Sequence, residues 1–258
     1  MRSGGVRAAH LADAFEALCR GRHSARSFIH EAIPQETLRR ILELTQTAPS
    51  SYNLQPYKIV LVQSQGQREA LSTAMLGPNN VKRVREAPLT VVFCADKDPS
   101  RLAQRIMKLE VDSGMDPAYV SGLSAKVSFV LGKGLLSTTF RTVATHLMSP
   151  LRPAPVIAAS LDAWASKNVA FAAQTFMLAA QANGLSTAPM EGFDERRVGF
   201  LLGIPSDRYT VPLVVSTGYA APEEQGESAK RAAAGRRLPL DEIACRDRFD
   251  VPYLTSSS

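Results

Sequence analysis

Several short segments hold the side chains that could do chemistry, and none of them forms an acid–base triad or a metal cage. In Gly21-Arg-His-Ser-Ala-Arg26 two guanidiniums, Arg22 and Arg26, lie on either side of Ser24. A guanidinium binds phosphate through two parallel N–H bonds, and a hydroxyl adds a third contact. The same segment also reads as a solvated basic turn. Pro49-Ser-Ser-Tyr-Asn-Leu-Gln-Pro56 is a polar loop with a proline at each end. Such a loop is rigid, and its Ser and Asn side chains suit the polar edge of a ligand as well as a surface connection. Pro189-Met-Glu-Gly-Phe-Asp194 has Pro at its front and Gly in its middle, so no regular element is expected there. Pro189 fixes its own φ and pushes Ala188 into an extended conformation, and Gly192 lets a backbone approach something closely. This segment reads as a rigid loop presenting bare N–H groups to a planar, electron-accepting ring, or as a plain helix-to-strand connection. The histidines His10, His23, His30 and His146 have no ligand spacing, so no metal is expected.

Composition narrows the partners. A chain of 258 residues, 45% hydrophobic and 21% charged, has ordinary globular composition and can bury a sizeable core. The net charge of +6 suggests an anionic partner. The basic residues are scattered and no aromatic-interleaved stripe appears, which favours a small anionic cofactor over nucleic acid. Cys19, Cys94 and Cys245 form no C-x-x-C pair, which fits a reducing compartment and neither a disulfide framework nor a zinc site. No apolar run approaches the ~18 residues that span a bilayer, so no membrane partner is expected. Residues 1–10 carry Arg2 and Arg7 and no acid, too short a stretch to define a transit peptide. The cytoplasm is the expected location, with the mitochondrial matrix as the alternative.

The elements that must position these segments follow from periodicity. His10–Arg20 reads as a helix stopped by Gly21. A second helix covers Ile33–Leu44, with Pro34 at its first position and Leu38, Ile41, Leu42 and Thr45 on its buried face. Tyr57–Val62 is a strand, Arg68–Met75 a short helix, and Gly77-Pro-Asn-Asn80 its break. Leu89–Ala95 is apolar nearly throughout and so central in a sheet. Arg101–Asp112 looks helical, and residues 97–160 carry no motif. Asp162–Ala182 is apolar nearly all round through Val169, Phe171, Phe176, Met177, Leu178 and many alanines, so it is buried in the core or between subunits. Val211–Tyr219 is a strand with Pro212 expected at an edge or first position. From Pro222 onward the chain is polar and aperiodic, and it holds Lys230, Arg231, Arg236 and Arg237. No repeat or linker divides the chain, so residues 1–258 read as one domain, with 222–258 as a tail that is either disordered or a C-terminal arm lying on a partner subunit; the arm is the expectation.

Together these segments resemble the nitroreductase family of flavoproteins. The resemblance is carried by Arg22-His23-Ser24 with Arg26, Ala48-Pro49-Ser50-Ser51 with Asn53 and Gln55-Pro56, Asn80, and Pro189-Met190-Glu191-Gly192-Phe193-Asp194. Leu202-Gly-Ile-Pro205, Ser216-Thr-Gly-Tyr219 and Arg237-Leu-Pro239 also fit, in the family's order. It implies an α+β fold, a small, mainly antiparallel sheet wrapped by helices, in an intertwined homodimer with non-covalent FMN at the interface. It further implies a two-step (ping-pong) activity: NAD(P)H reduces FMN and leaves, and an oxidised acceptor such as a nitroaromatic or a quinone takes the electrons. By this resemblance Arg22, His23, Ser24 and Arg26 belong to the phosphate and ring-edge contacts. Pro49, Ser50, Ser51 and Asn53 face the flavin, often across the dimer. Asn80 and Arg83 bind the pyrimidine edge, with Asn168 near it. Pro189, Met190, Glu191 and Gly192 approach the ring, Glu191 and Gly192 through backbone N–H groups near N5. Arg236 and Arg237 complete the phosphate site. Gly235 stands where the family often has Lys, and Tyr57 where it often has Trp.

The residues support such chemistry independently. A phosphomonoester carries close to two negative charges, and cations with N–H donors favour a bound and a reduced flavin. No Rossmann G-x-G-x-x-G is present for a dinucleotide such as FAD. Two alternatives use the same site: a flavin-binding or storage protein without turnover, and a related flavin enzyme such as a dehalogenase.

Overall fold

A computed structural model describes residues 3–98, 100–117, 160–222 and 237–253, with positions 120, 122, 143 and 147. The Pro-rich stretch at 149–155, His146 and Arg236 lie outside the described residues. In chain order the elements are α1 (Ser3–Gly21), α2 (Gln35–Gln46), a single 3-10 turn (Ser51–Asn53), β1 (Tyr57–Val62), α3 (Gln65–Ser72), α4 (Pro78–Glu86) and β2 (Leu89–Asp96). They continue as α5 (Ser100–Asp112), α6 (Leu161–Ala182), β3 (Ser186–Met190), α7 (Glu195–Leu202), β4 (Tyr209–Gly218) and the short α8 (Leu240–Ile243). Local chemistry sets several boundaries. Ser160 Oγ accepts the Ala163 N–H at the start of α6, and Asp194 Oδ1 accepts the Arg197 N–H at the start of α7. Asn183 caps α6, and Gly184 follows with a φ of +75°.

The four strands form one antiparallel sheet in the order β1-β2-β4-β3. The expected α+β architecture is therefore present. β2 is an inner strand with all its residues buried, which is why its sequence shows no polar alternation. Two proline expectations are corrected by the sheet. Pro189 and Met190 belong to a regular strand, β3, and not to a loop. The sheet accepts Pro189 because β3 is an edge strand, whose outer side needs no ladder bond. Pro212 lies in β4, which is an inner strand. Phe93 pairs with Leu213 and Ala95 with Thr210, so Cys94 faces both Val211 and Pro212 across a β-bulge. A bulge leaves one residue out of the ladder, and that is where a residue without an N–H fits. Gly77-Pro-Asn-Asn80 starts a helix as well as ending one: Gly77 caps α4, and Pro78 occupies its first turn. Pro34 is the cap of α2 and not its first helical residue.

Helices cover both faces of the sheet. On one face α6 and α2 pack over Leu89, Val91, Phe93 and Val215. The rings of Phe93 and Phe176 meet edge to face at 5.8 Å. α6 is not buried all round. Its buried stripe runs through Ala165, Asn168, Val169, Ala172, Ala173, Phe176, Ala179 and Ala180, whereas Phe171 is 47% exposed. The small residues let the helix lie close to the sheet, as a one-sided stripe at helical spacing does. On the other face Leu71, Val84 and Val198, from α3, α4 and α7, cover Val92, Cys94, Met190 and Val214. The buried Asp96, at the end of β2, takes a 2.8 Å bond from Arg208 at the entrance to β4. That hydrogen bond raises the Arg208 pKa above its usual value. No described helix is long and apolar enough to cross a membrane.

Candidate active site

The site is built where the chain leaves α1. Gly21 ends the helix, and the next residues lie along β3. Ser24 bridges Thr187 in parallel register, and the Ala25 N–H donates to Thr187 O at 3.0 Å. Arg22 is half-buried there, and Ser24 and Arg26 are exposed. His23 Nδ1 lies 3.1 Å from Gly21 O, and its Nε2 is buried without a partner among the described residues. If Nδ1 carries the proton for Gly21 O, Nε2 is an acceptor.

Arg83 and Asn80, one helical turn apart on α4, tie this basic segment to the residues after β3. Arg83 Nε donates to Ala25 O at 3.0 Å, and Arg83 Nη1 to Asn80 Oδ1 at 3.0 Å. Asn80 Nδ2 in turn donates to Gly192 O at 3.2 Å. The Leu76 N–H reaches the same oxygen at 2.9 Å, and the Phe193 N–H bonds Glu191 O at 3.0 Å. The carbonyls of Glu191 and Gly192 are thus taken up inside the chain. Glycine at 192 has a local reason: a Cβ there would come within 3.0 Å of Asn80 Nδ2. Glu191 is exposed and Pro189 half-buried, but the Met190 side chain packs in the core beside Val214. Only the backbone of Met190 can face a ligand.

A second group forms around α6. The Ser51 N–H donates to Asn168 Oδ1 at 2.8 Å, and Asn168 Nδ2 donates to Trp164 O at 2.7 Å. Ser50 Oγ accepts the Gln55 N–H at 2.9 Å, and Asn53 Nδ2 donates to Glu110 Oε1 at 2.5 Å. Pro49 and Asn53 are exposed. The loop carries three non-glycine residues in the left-handed region: Tyr52 at φ +55°, Asn53 at +52° and Gln55 at +44°. Each such residue costs roughly 1–2 kcal/mol, least for Asn, so the surrounding contacts must hold the shape. Arg237 is exposed ahead of α8. The structure therefore brings residues 22–26, 80, 83 and 189–192 together, and joins Ser51 to Asn168 and Asn53 to Glu110.

Sequence reasoning missed Glu110, Thr187 and Leu76. Glu110 sits in the motif-free part of the chain, and its link to Asn53 spans 57 positions. Thr187 and Leu76 act through their backbones, which leave no signal in residue type. Among the described residues no group of His, Cys, Asp or Glu could hold a metal ion. Cys94 is no nucleophile, because burial pushes its thiol up to about 11. The arrangement is a basic strip tied through Arg83 and Asn80 to the Glu191-Gly192 turn, suited to an anionic ligand.

The chain is similar to known proteins over most of its length. A protein from Thermus thermophilus named NADH dehydrogenase is 31% identical over 222 residues, 86% of this chain and 90% of that protein. The oxygen-insensitive NAD(P)H nitroreductase of Enterobacter cloacae is 25% identical over 227 residues, covering 86% of this chain and 94% of that enzyme. Among solved structures, a nitroreductase family protein from Streptococcus pneumoniae superposes with a TM-score of 0.67 at 21% identity, over 90% of this chain and 99% of that one. A protein from Exiguobacterium sibiricum solved in complex with FMN gives 0.66 at 23% identity, over 90% and 97%. The profile of the nitroreductase family matches residues 19–219, and with the fold and the ordered motifs this shows that the chain belongs to that family.

Proposed function

We propose that this protein is an FMN-dependent oxidoreductase that passes electrons from NAD(P)H to a nitroaromatic or quinone-type acceptor in two separate half-reactions. The observation that carries the reading is the Ala25–Arg83–Asn80–Gly192 relay, which holds a basic strip and the Glu191-Gly192 turn side by side. The residues present fit FMN. The buried Nε2 of His23 is an orphan beside the strip, and a Cβ at position 192 would crowd the amide of Asn80. Bound FMN supplies the hydride chemistry that no side chain here can supply.

The chain's own residues bind and orient. Arg22, Ser24 and Arg26, with Arg237, would hold the phosphate by charge-assisted bonds; Arg236, expected in the same role, lies outside the described residues. The Glu191 and Gly192 N–H groups would be the donors toward the electron-accepting part of the ring, as preorganised donors are. Asn80 and Arg83 fix the height of that turn and offer polar edges to the pyrimidine end. Pro49, Ser50, Ser51 and Asn53 would face the flavin from the other loop. The active form is a homodimer in this reading. Leu11 and Phe15 on α1 are 62% and 58% exposed, and Leu238, Leu240 and Ile243 in the tail are exposed as well. Apolar surface of this kind marks an interface, with residues 222–258 as the arm that lies on the partner. Cytoplasmic residence belongs to the same reading and is supported by the three unpaired cysteines.

The test is anaerobic mixing of the purified, full-length protein with NADH or NADPH. The expected protein is yellow, releases FMN on heating, and loses its flavin absorbance on mixing. A second addition of a quinone or nitroaromatic restores the band. A yellow protein that no nicotinamide bleaches is the binding-protein alternative and overturns the enzyme reading. Release of FAD, or no flavin at all, overturns the cofactor assignment. Truncation after Tyr219 should cost both flavin and dimer, read by light scattering and absorbance.

A further inference from the structure

We infer that Asn168 is a positioning residue, which holds the Ser50–Gln55 loop in its left-handed shape and does not itself touch the flavin. The inference rests on the FMN reading above for its functional consequence, but not for its geometry. Asn168 is 1% exposed and sits on α6 among Trp164, Ala165 and Val169, all of them buried. Its Oδ1 takes the Ser51 N–H and its Nδ2 is given to Trp164 O. An amide side chain has two N–H donors and one carbonyl oxygen. Here the oxygen and one donor are used inside the chain, in a place solvent does not reach. Such a group is built to support a loop, not to meet a ligand.

The loop needs that support. Of the five non-glycine residues with positive φ among the described residues, three lie between Ser51 and Pro56. The segment has no glycine, so its backbone cannot hold this shape at low cost by itself. Besides the bonds of Asn53 N–H to Ser50 O, Leu54 N–H to Ser51 O and the Gln55 amide to Asn53, three contacts hold it: Asn168 to the Ser51 N–H, Ser50 Oγ to the Gln55 N–H, and Glu110 to the Asn53 amide. The second is internal to the loop. The third is exposed and therefore competes with water. Only the Asn168 bond ties the loop to a long helix fixed in the core. A leucine of similar volume would satisfy the apolar neighbours without burying an amide. Asparagine is also a poorer helix former than leucine. Its presence at the centre of α6 is explained by the N–H that it accepts, 117 positions away in sequence.

The experiment compares Asn168→Leu, which removes the acceptor, Asn168→Asp, which keeps one, and Glu110→Ala, which removes the exposed contact. The readout that does not depend on the flavin is amide hydrogen exchange at Ser51, in the full-length protein as purified. Asn168→Leu should speed exchange at Ser51 by about tenfold or more, with the sheet amides of Val92 and Val215 unchanged. Asn168→Asp should restore most of the protection, and Glu110→Ala should change it little. In the FMN-loaded protein, Asn168→Leu should weaken FMN binding several-fold and alter the visible circular dichroism of the bound flavin, and the Asp variant should recover both. Unchanged protection at Ser51 overturns the inference. Faster loop exchange with FMN affinity and spectrum untouched also overturns it. If the sheet amides lose protection in the leucine variant, Asn168→Ala is read by the same criteria. A protein that binds no FMN at all sinks the proposed function alone, since the exchange result still decides the role of Asn168.

Discussion

Arg83 is the residue through which the two halves of the candidate site hold each other, and its replacement is the most informative perturbation. Arg83→Ala removes the 3.0 Å bond to Ala25 O and the 3.0 Å bond to Asn80 Oδ1. Hydrogen bonds from a charged donor contribute about 1.5–3 kcal/mol each when buried. Both bonds here are only part-buried. The expected loss is therefore toward the low end, about 2–4 kcal/mol for the pair. For a chain of this size that lowers Tm by roughly 5–12 °C. The sharper test is the cycle of Arg83→Ala, Asn80→Ala and the double variant. Asn80 holds Gly192 O with one end and Arg83 with the other. The two replacements should then be non-additive by about 1 kcal/mol, as for members of one hydrogen-bond network. FMN titration of the same variants should show the same coupling. Arg83→Lys keeps the charge, but an ammonium cannot reproduce the fork that spans both acceptors. It should recover less than half of the loss. Additivity within about 0.3 kcal/mol, or full rescue by Lys, would refute the relay and leave Arg83 as a general positive charge.

The other predictions concern single groups. Glu191→Gln should leave the anaerobic rate of flavin bleaching nearly intact, whereas Glu191→Pro, which removes the N–H, should slow it on the order of 10²-fold. Stopped-flow absorbance on FMN-replete variants decides this, and equal damage by both would assign the role to the carboxylate. Cys94 is buried with its thiol pushed up to about 11. A raised thiol pKa means that the folded state keeps the proton longer, so this stabilisation is fully present below the unfolded value and is lost as pH rises toward 11. Urea melts between pH 8 and 11 should show that loss, and Cys94→Ala should remove its pH dependence. Asp96→Ala strips Arg208 of its bonded partner at the end of β2 and should cost about 1–3 kcal/mol in a urea titration. A cost near zero would mean that water replaces the carboxylate.

Some of this protein was legible before any fold was known, because it depends on neighbours in sequence. β1 covers Tyr57–Val62 as read, and α6 differs from its expected start by one residue. Asn183-Gly184 stops α6 as its composition requires. The basic strip and the Pro-Met-Glu-Gly segment each read alone as a turn or a connection, and only their ordered combination along the chain resembles a flavoprotein family. What the tertiary structure decided is everything that joins distant residues. Pro212 reads as an edge residue in isolation, but β4 lies inside the sheet and a bulge admits the proline. Phe171 looks as buried as Phe176 until the side of α6 that meets the sheet is known. Asn168 and Ser51 share no local pattern, nor do Arg83 and Ala25, since each bond closes only after helix and sheet have packed. Propensity and hydrophobic period are local properties, and they are written in the residues. Strand order, bulge position and the choice of hydrogen-bond partner depend on which surfaces meet, and only the folded chain determines that.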